Sequence, residues 1–133
     1  MSRHHLFDPE GMAPAVGFSY GAIPARGRTL YVAGITGHRE DGSIDEALVD
    51  QFEAACVSVV RVIEGAGGVP ADMVSMTIFT TDVTTYRDQL SPIGERYRSV
   101  FGHHYPPMGL FGIAELFDPV ALVELVCVAV VPD

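Results

Sequence analysis

The chain contains no lysine and no tryptophan, and only two of its 133 residues are cysteine. Its eight basic side chains are all arginine, scattered without a block. They stand against 17 carboxylates, for a formal net charge of −9. An acidic chain with no basic run makes a poor binder of phosphate backbones, so no nucleic-acid partner is expected. Cys56 and Cys127 lie in apolar segments, form no disulfide framework, and each reads as a small hydrophobe. Neither His-Glu-x-x-His nor Cys-x-x-Cys occurs, so no metal site is proposed. No dinucleotide fingerprint is present and no cofactor is implied. No apolar run approaches the ~18 residues needed to cross a bilayer. The start, Met-Ser-Arg-His-His-Leu-Phe-Asp-Pro, lacks the apolar stretch of a secretory signal. No membrane partner is expected, and a reducing cytoplasm is the expected location.

What is abundant is aliphatic. The chain is 48% hydrophobic and 19% charged, with a mean hydropathy of +0.27. That excess predicts either an unusually full core or surface buried against other subunits. Residues 1–15, with Asp8-Pro9-Glu10-Gly11 and Pro14, read as an irregular N-terminal arm. Phe18–Ile23 and Thr29–Ala33 read as strands. From Asp45 to Glu64, Leu48, Phe52, Ala55, Val59 and Val62 recur three or four apart, which is a helical stripe. Gly65-Ala-Gly-Gly68 stops it. Val74–Thr81 reads as a strand, and Asp82 as a turn or cap. Ser91-Pro92 starts a second helix that Gly102 ends. Gly109–Leu116 and Ala121–Val131 complete the set. The order β-β-α-β-α-β-β is an α+β fold, one domain over residues 1–133 with two helices on one face of a mixed sheet. The other face, left uncovered, would expose an apolar layer, and this predicts a symmetric oligomer.

One carboxylate interrupts the most apolar stretch. In Ala121–Val131 the only polar side chain is Glu124, among ten apolar ones. A strand this apolar is expected to be covered on both faces. Its carboxylate is then paired, shifted in pKa, or open to a cavity. Glu124 is therefore the leading candidate for chemistry, with an inert ion pair at a sheet edge or subunit seam as the alternative.

Five segments fall in a telling order: Leu30-Tyr-Val-Ala-Gly34, then Gln51-Phe-Glu-Ala-Ala with Val60–Gly67, Met76-Thr-Ile-Phe-Thr-Thr-Asp82-Val, Tyr105-Pro-Pro107, and Leu122–Val130. Together they resemble the RidA/YjgF family, also labelled L-PSP endoribonuclease-like, over nearly the whole chain. The resemblance implies a chorismate-mutase-like fold and a homotrimer, with three interfacial clefts each lined by two chains. It implies a small-molecule ligand. Members of the best-known subgroup hydrolyse reactive enamines and imines, such as 2-aminoacrylate, to keto acids and ammonia. An arginine after the proline loop holds the substrate carboxylate. A glutamate on the last strand and a backbone carbonyl near the second strand handle the water.

Mapped by that resemblance, Glu124 and Gly34 take the catalytic places. The arginine position holds Met108, a cysteine position holds Leu110, and a serine position holds Ala33. An asparagine falls near Gly94, and the N-terminal tyrosine near Ser19 or Tyr20. Methionine offers a soft apolar contact where arginine gives charge-assisted hydrogen bonds of roughly 1.5–3 kcal/mol each. A simple 2-imino acid is therefore not the expected substrate. Beside Met108, His103 or His104 either pairs with Glu124 across the interface, or both are exposed loop residues. Tyr20 and Tyr105 either line the cleft or pack at the seam, and Leu110 and Phe111 make an apolar floor. Arg96 and Arg98 read as a solvated helix face.

Overall fold

The structure, a computed structural model, describes residues 2–133. Seven strands and three helices follow one another: β1 (His5–Phe7), β2 (Gly21–Ile23), β3 (Arg28–Tyr31), β4 (Ile35–Thr36), α1 (Leu48–Gly65), β5 (Met73–Thr80), α2 (Val83–Asp88), α3 (Leu90–Phe101), β6 (Met108–Gly112) and β7 (Val123–Val131). A short 3₁₀ turn, Pro70–Asp72, precedes β5. The main sheet runs β3–β7–β5–β6, with β4 continuing the β3 edge along β7. Only β5 and β6 pair in parallel, so the sheet is mixed, as expected.

The helical stripe of α1 buries Leu48, Phe52, Ala55, Cys56, Val59 and Ile63 against one face of this sheet. Alternate residues of the strands, Met76 and Ile78 on β5 and Leu125, Cys127 and Ala129 on β7, meet them. The helix stops as the glycine run predicts. The Gly68 N–H donates to the Ile63 carbonyl and the Gly67 N–H to the Glu64 carbonyl, with Gly67 at φ 88°. Both cysteines are free and buried, and burial pushes the Cys127 thiol up to about 12.

Several boundaries differ from the sequence reading. The N-terminal arm is not irregular, because β1 pairs antiparallel with β2 in a separate two-stranded sheet. His4 anchors it: buried, it takes the Ala25 N–H on Nδ1 at 2.9 Å and donates from Nε2 to the Val130 carbonyl at 3.0 Å. Arg3 reinforces it through Asp72 at 3.2 Å. The strand predicted from Phe18 shortens to Gly21–Ile23, because Ser19 turns to the proline loop instead, donating to the Tyr105 carbonyl at 2.6 Å. Helix α2 has no counterpart in the predicted order; Asp82 caps it, accepting the Thr85 N–H at 3.0 Å. Ser91 and Pro92 consequently sit inside α3, whose N-cap is Gln89. Proline is tolerated there because first-turn N–H groups have no helical partner. β6 ends at Gly112, four residues short of the predicted Leu116, and β7 starts at Val123.

Candidate functional site

Glu124 stands on β7, a central strand with β4 on one side and β5 on the other. A sheet-edge position is therefore excluded. Its register partners are Thr36 and Phe79, and Phe79 in turn pairs with Phe111. The row Thr36–Glu124–Phe79–Phe111 thus crosses the face turned away from the helices, with the two phenyl rings 6.1 Å apart. Glu124 is half-buried. Among the described residues no cation lies within 4.0 Å of it and no side chain hydrogen-bonds to it.

Gly34 comes to this carboxylate through a bulge. Tyr31 pairs with Val128 but Ile35 with Leu125, so four steps on the edge strand match three on β7. The extra residue falls within Val32–Gly34, where Ala33 and Gly34 are exposed between β3 and β4. A Cβ at Gly34 would collide with Glu124 Oε2 and lie 3.0 Å from its Cδ. In the carboxylate's present position a side chain at 34 would push it aside, so the missing Cβ lets the two candidate catalytic residues meet. Beyond them, the Thr36 hydroxyl is 2.6 Å from His38 Nδ1, and His38 Nε2 is 2.9 Å from Asp118 Oδ2. This chain ties β4 to the turn before β7 and borders the Glu124 row. No sequence spacing points to it, since His38 and Asp118 are distant along the chain.

Met108 lies elsewhere. It pairs with Met76, whose side chain is in the helix-facing core, so Met108 and Glu124 are on opposite faces of one sheet. Within a single chain they cannot form one site. Met108 instead lines a groove of about 470 Å³ under α2 and α3, together with Gly17, Tyr86, Gly94, Arg98 and Tyr105. Tyr105 stacks on Tyr97 at 5.7 Å, and Tyr97 on Phe101 at 4.8 Å. The Tyr97 hydroxyl donates to the His104 carbonyl, and burial raises its pKa. Leu110 and Phe111, adjacent on β6, point to opposite faces, so they do not form one floor within a chain.

The remaining candidates are scattered. Ser19 ties to the proline loop near the groove. Tyr20 is half-buried, its ring edge-on to Phe18 at 5.2 Å and its hydroxyl donating to the Ala13 carbonyl at 2.8 Å. His103 is exposed and borders a separate hollow shared with His4 and His5. His104 is not an exposed loop residue: it is buried, with Nε2 2.7 Å from the Met73 carbonyl, and desolvation lowers its pKa. Neither histidine approaches Glu124 of its own chain. Arg96 is paired with Asp50 at 2.9 Å and Glu53 at 3.6 Å. Arg98 is exposed, as expected of a solvated face, and it also borders the groove; Gly94 one turn earlier was the signal available for that second role.

The fold that carries this site has counterparts among known proteins. The sequence pattern described as Endoribonuclease L-PSP matches residues 10–131. The chain belongs to this RidA/YjgF family. The Rid-family protein YyfB of Yersinia pestis, described as of unknown function, is 26% identical over 96% of this chain and 98% of its own, with a TM-score of 0.85. RidA of an Antarctic Psychrobacter is 22% identical over 96% and 99%, with a TM-score of 0.69. Escherichia coli TdcF, solved with bound serine, is 23% identical over 92% of each chain, with a TM-score of 0.68. The chorismate-mutase-like fold expected from the resemblance is thus the fold observed. No curated protein matches the chain. Among the described residues, no helix is long and apolar enough to cross a membrane.

Proposed function

We propose that this protein is a homotrimeric, RidA-like hydrolase of a small enamine, imine or related compound, acting in clefts between its copies. The observation that carries the proposal is the meeting of Glu124 with Gly34 on a face to which the strands turn no other charge. That face bears Tyr31, 79% exposed, Phe111, 54% exposed, and Val126, 36% exposed, a layer monomers seldom leave to water. Cover it with a second copy, and Glu124 of one chain faces the Met108 groove of the next. Glu124 then accepts a proton from a water that the Gly34 carbonyl also holds, and the water adds to the C=N carbon. Glu124 passes that proton to the nitrogen, and collapse of the resulting carbinolamine to the carbonyl moves the hydroxyl proton to the amine and releases ammonia.

Met108 argues against a short 2-imino acid as the preferred substrate, because a thioether on β6 cannot hold a carboxylate. The acidic, lysine-free composition argues against RNA, despite the family's description. Met108, Leu110 and Ala33, all apolar, also favour a second reading: a trimer that binds a metabolite without turning it over. The deciding experiment measures ammonia release from imines generated in situ by an amino-acid oxidase. The proposal expects acceleration of bulkier imines by the wild type and none by Glu124→Gln. Acceleration that survives in Glu124→Gln contradicts the mechanism, and tight binding without acceleration supports the second reading.

A further inference from the structure

The groove that holds Met108 has apolar walls, among them Ile93, Tyr97, Tyr105 and Met108, and only one charged residue lines it. That residue is Arg98. We infer that Arg98 is the anion anchor of this groove, and that the groove takes a monocarboxylate with an aryl or alkyl body. The inference rests on the small-molecule reading of the groove given above.

Three observations point the same way. The volume, about 470 Å³, suits a small organic molecule rather than a peptide or a nucleic acid. The guanidinium folds back over Gly94, where an added Cβ would lie 3.1 Å from Nη1. Glycine is a poor residue inside a helix, and here its missing side chain leaves the room the guanidinium takes at the groove. Finally, among the described residues no carboxylate lies within 4.0 Å of Arg98, and it donates no side-chain hydrogen bond. Arg96, on the same helix, has two acidic partners. Arg98 is exposed at the groove's rim, so its planar fork of donors, turned to solvent, is free to meet a ligand.

The electrostatics require such a group. In a chain of net charge −9, a carboxylate ligand entering a cleft that also receives Glu124 meets repulsion unless a cation is local. Met108 supplies none. Arg98 supplies it from α3 instead of β6, which moves the anion site to the helix wall and leaves the thioether to pack against the ligand body. A specificity for apolar acids over three-carbon acids follows.

Titration calorimetry with phenylacetate and its neutral counterpart phenylacetamide tests this on the intact protein, alongside Arg98→Met and Arg98→Lys. The wild type is expected to favour the acid by about tenfold. Arg98→Met brings the acid down to the amide without changing the amide, and Arg98→Lys retains part of the preference. Equal binding of acid and amide by the wild type, or a preference that persists in Arg98→Met, overturns the anchor and leaves the interfacial site standing. Failure of both compounds to bind a protein shown by sedimentation to be trimeric overturns the anchor and the small-molecule groove together.

Discussion

The Glu124 carboxylate lies over Gly34 where a Cβ would stand, and the consequences are testable one residue at a time. Gly34→Ala puts a methyl where the carboxylate lies, so Glu124 must swing away. Activity on any imine substrate should fall at least tenfold, about the loss expected when a positioned base is displaced. The fold should persist, because Gly34 is exposed. Kinetics paired with circular dichroism check both halves, and full activity in Gly34→Ala would contradict the pairing. Glu124 was legible in the sequence because a lone acid in an apolar strand is conspicuous. The exposure of Arg98 was legible too, but its place beside the groove was not, because that depends on how α3 packs over β6. His38 and Asp118 are 80 residues apart in the chain and meet only through the sheet.

At the scale of elements, one buried side chain holds the site's strand in place. Gln51 on α1 donates from Nε2 to the Asp45 and Val120 carbonyls and accepts the Leu122 N–H at 2.8 Å, just before β7 begins. Gln51→Leu keeps the volume but strands those backbone groups, and should cost about 2–4 kcal/mol in urea unfolding. His104 adds a pH dependence. Burial lowers its pKa in the folded chain below the ordinary 6.5, so the unfolded chain takes up the proton first as pH falls. The stability this provides is complete above the ordinary value and is lost as pH falls through 6.5 toward the lower folded value. The urea midpoint should drop between about pH 7.5 and about pH 5.5, and His104→Gln should flatten that slope. The α1 stripe, its glycine stop and β5 were legible because hydrophobic period and terminal glycines act locally. The β1–β2 pair was not, since it depends on His4 finding Val130 at the opposite end of the chain. Nor was α2, whose cap is an aspartate that serves equally well in a turn.

For the whole molecule, the sheet's open face decides everything downstream. Tyr31, Val126 and Phe111 on that face predict association, so Val126→Asp should shift the sedimentation coefficient from trimer to monomer while leaving the helix-facing core intact. Activity should vanish with the trimer, because Glu124 and Met108 occupy opposite sides of one sheet. A monomeric variant that kept full activity would contradict the shared cleft. The apolar excess and the uncovered layer were legible from composition. The separation of the two half-sites was not, because face assignment depends on strand register, and the parallel pairing of β5 with β6 sets it.

The most direct test asks whether position 124 of one copy meets position 108 of another. Met108→Cys/Glu124→Cys protein, treated with a short bismaleimide, should give covalent dimers and trimers on a reducing gel, while each single variant stays monomeric. Both native thiols are buried and should not interfere. A double variant that consumes the reagent yet runs only as monomer would contradict the account.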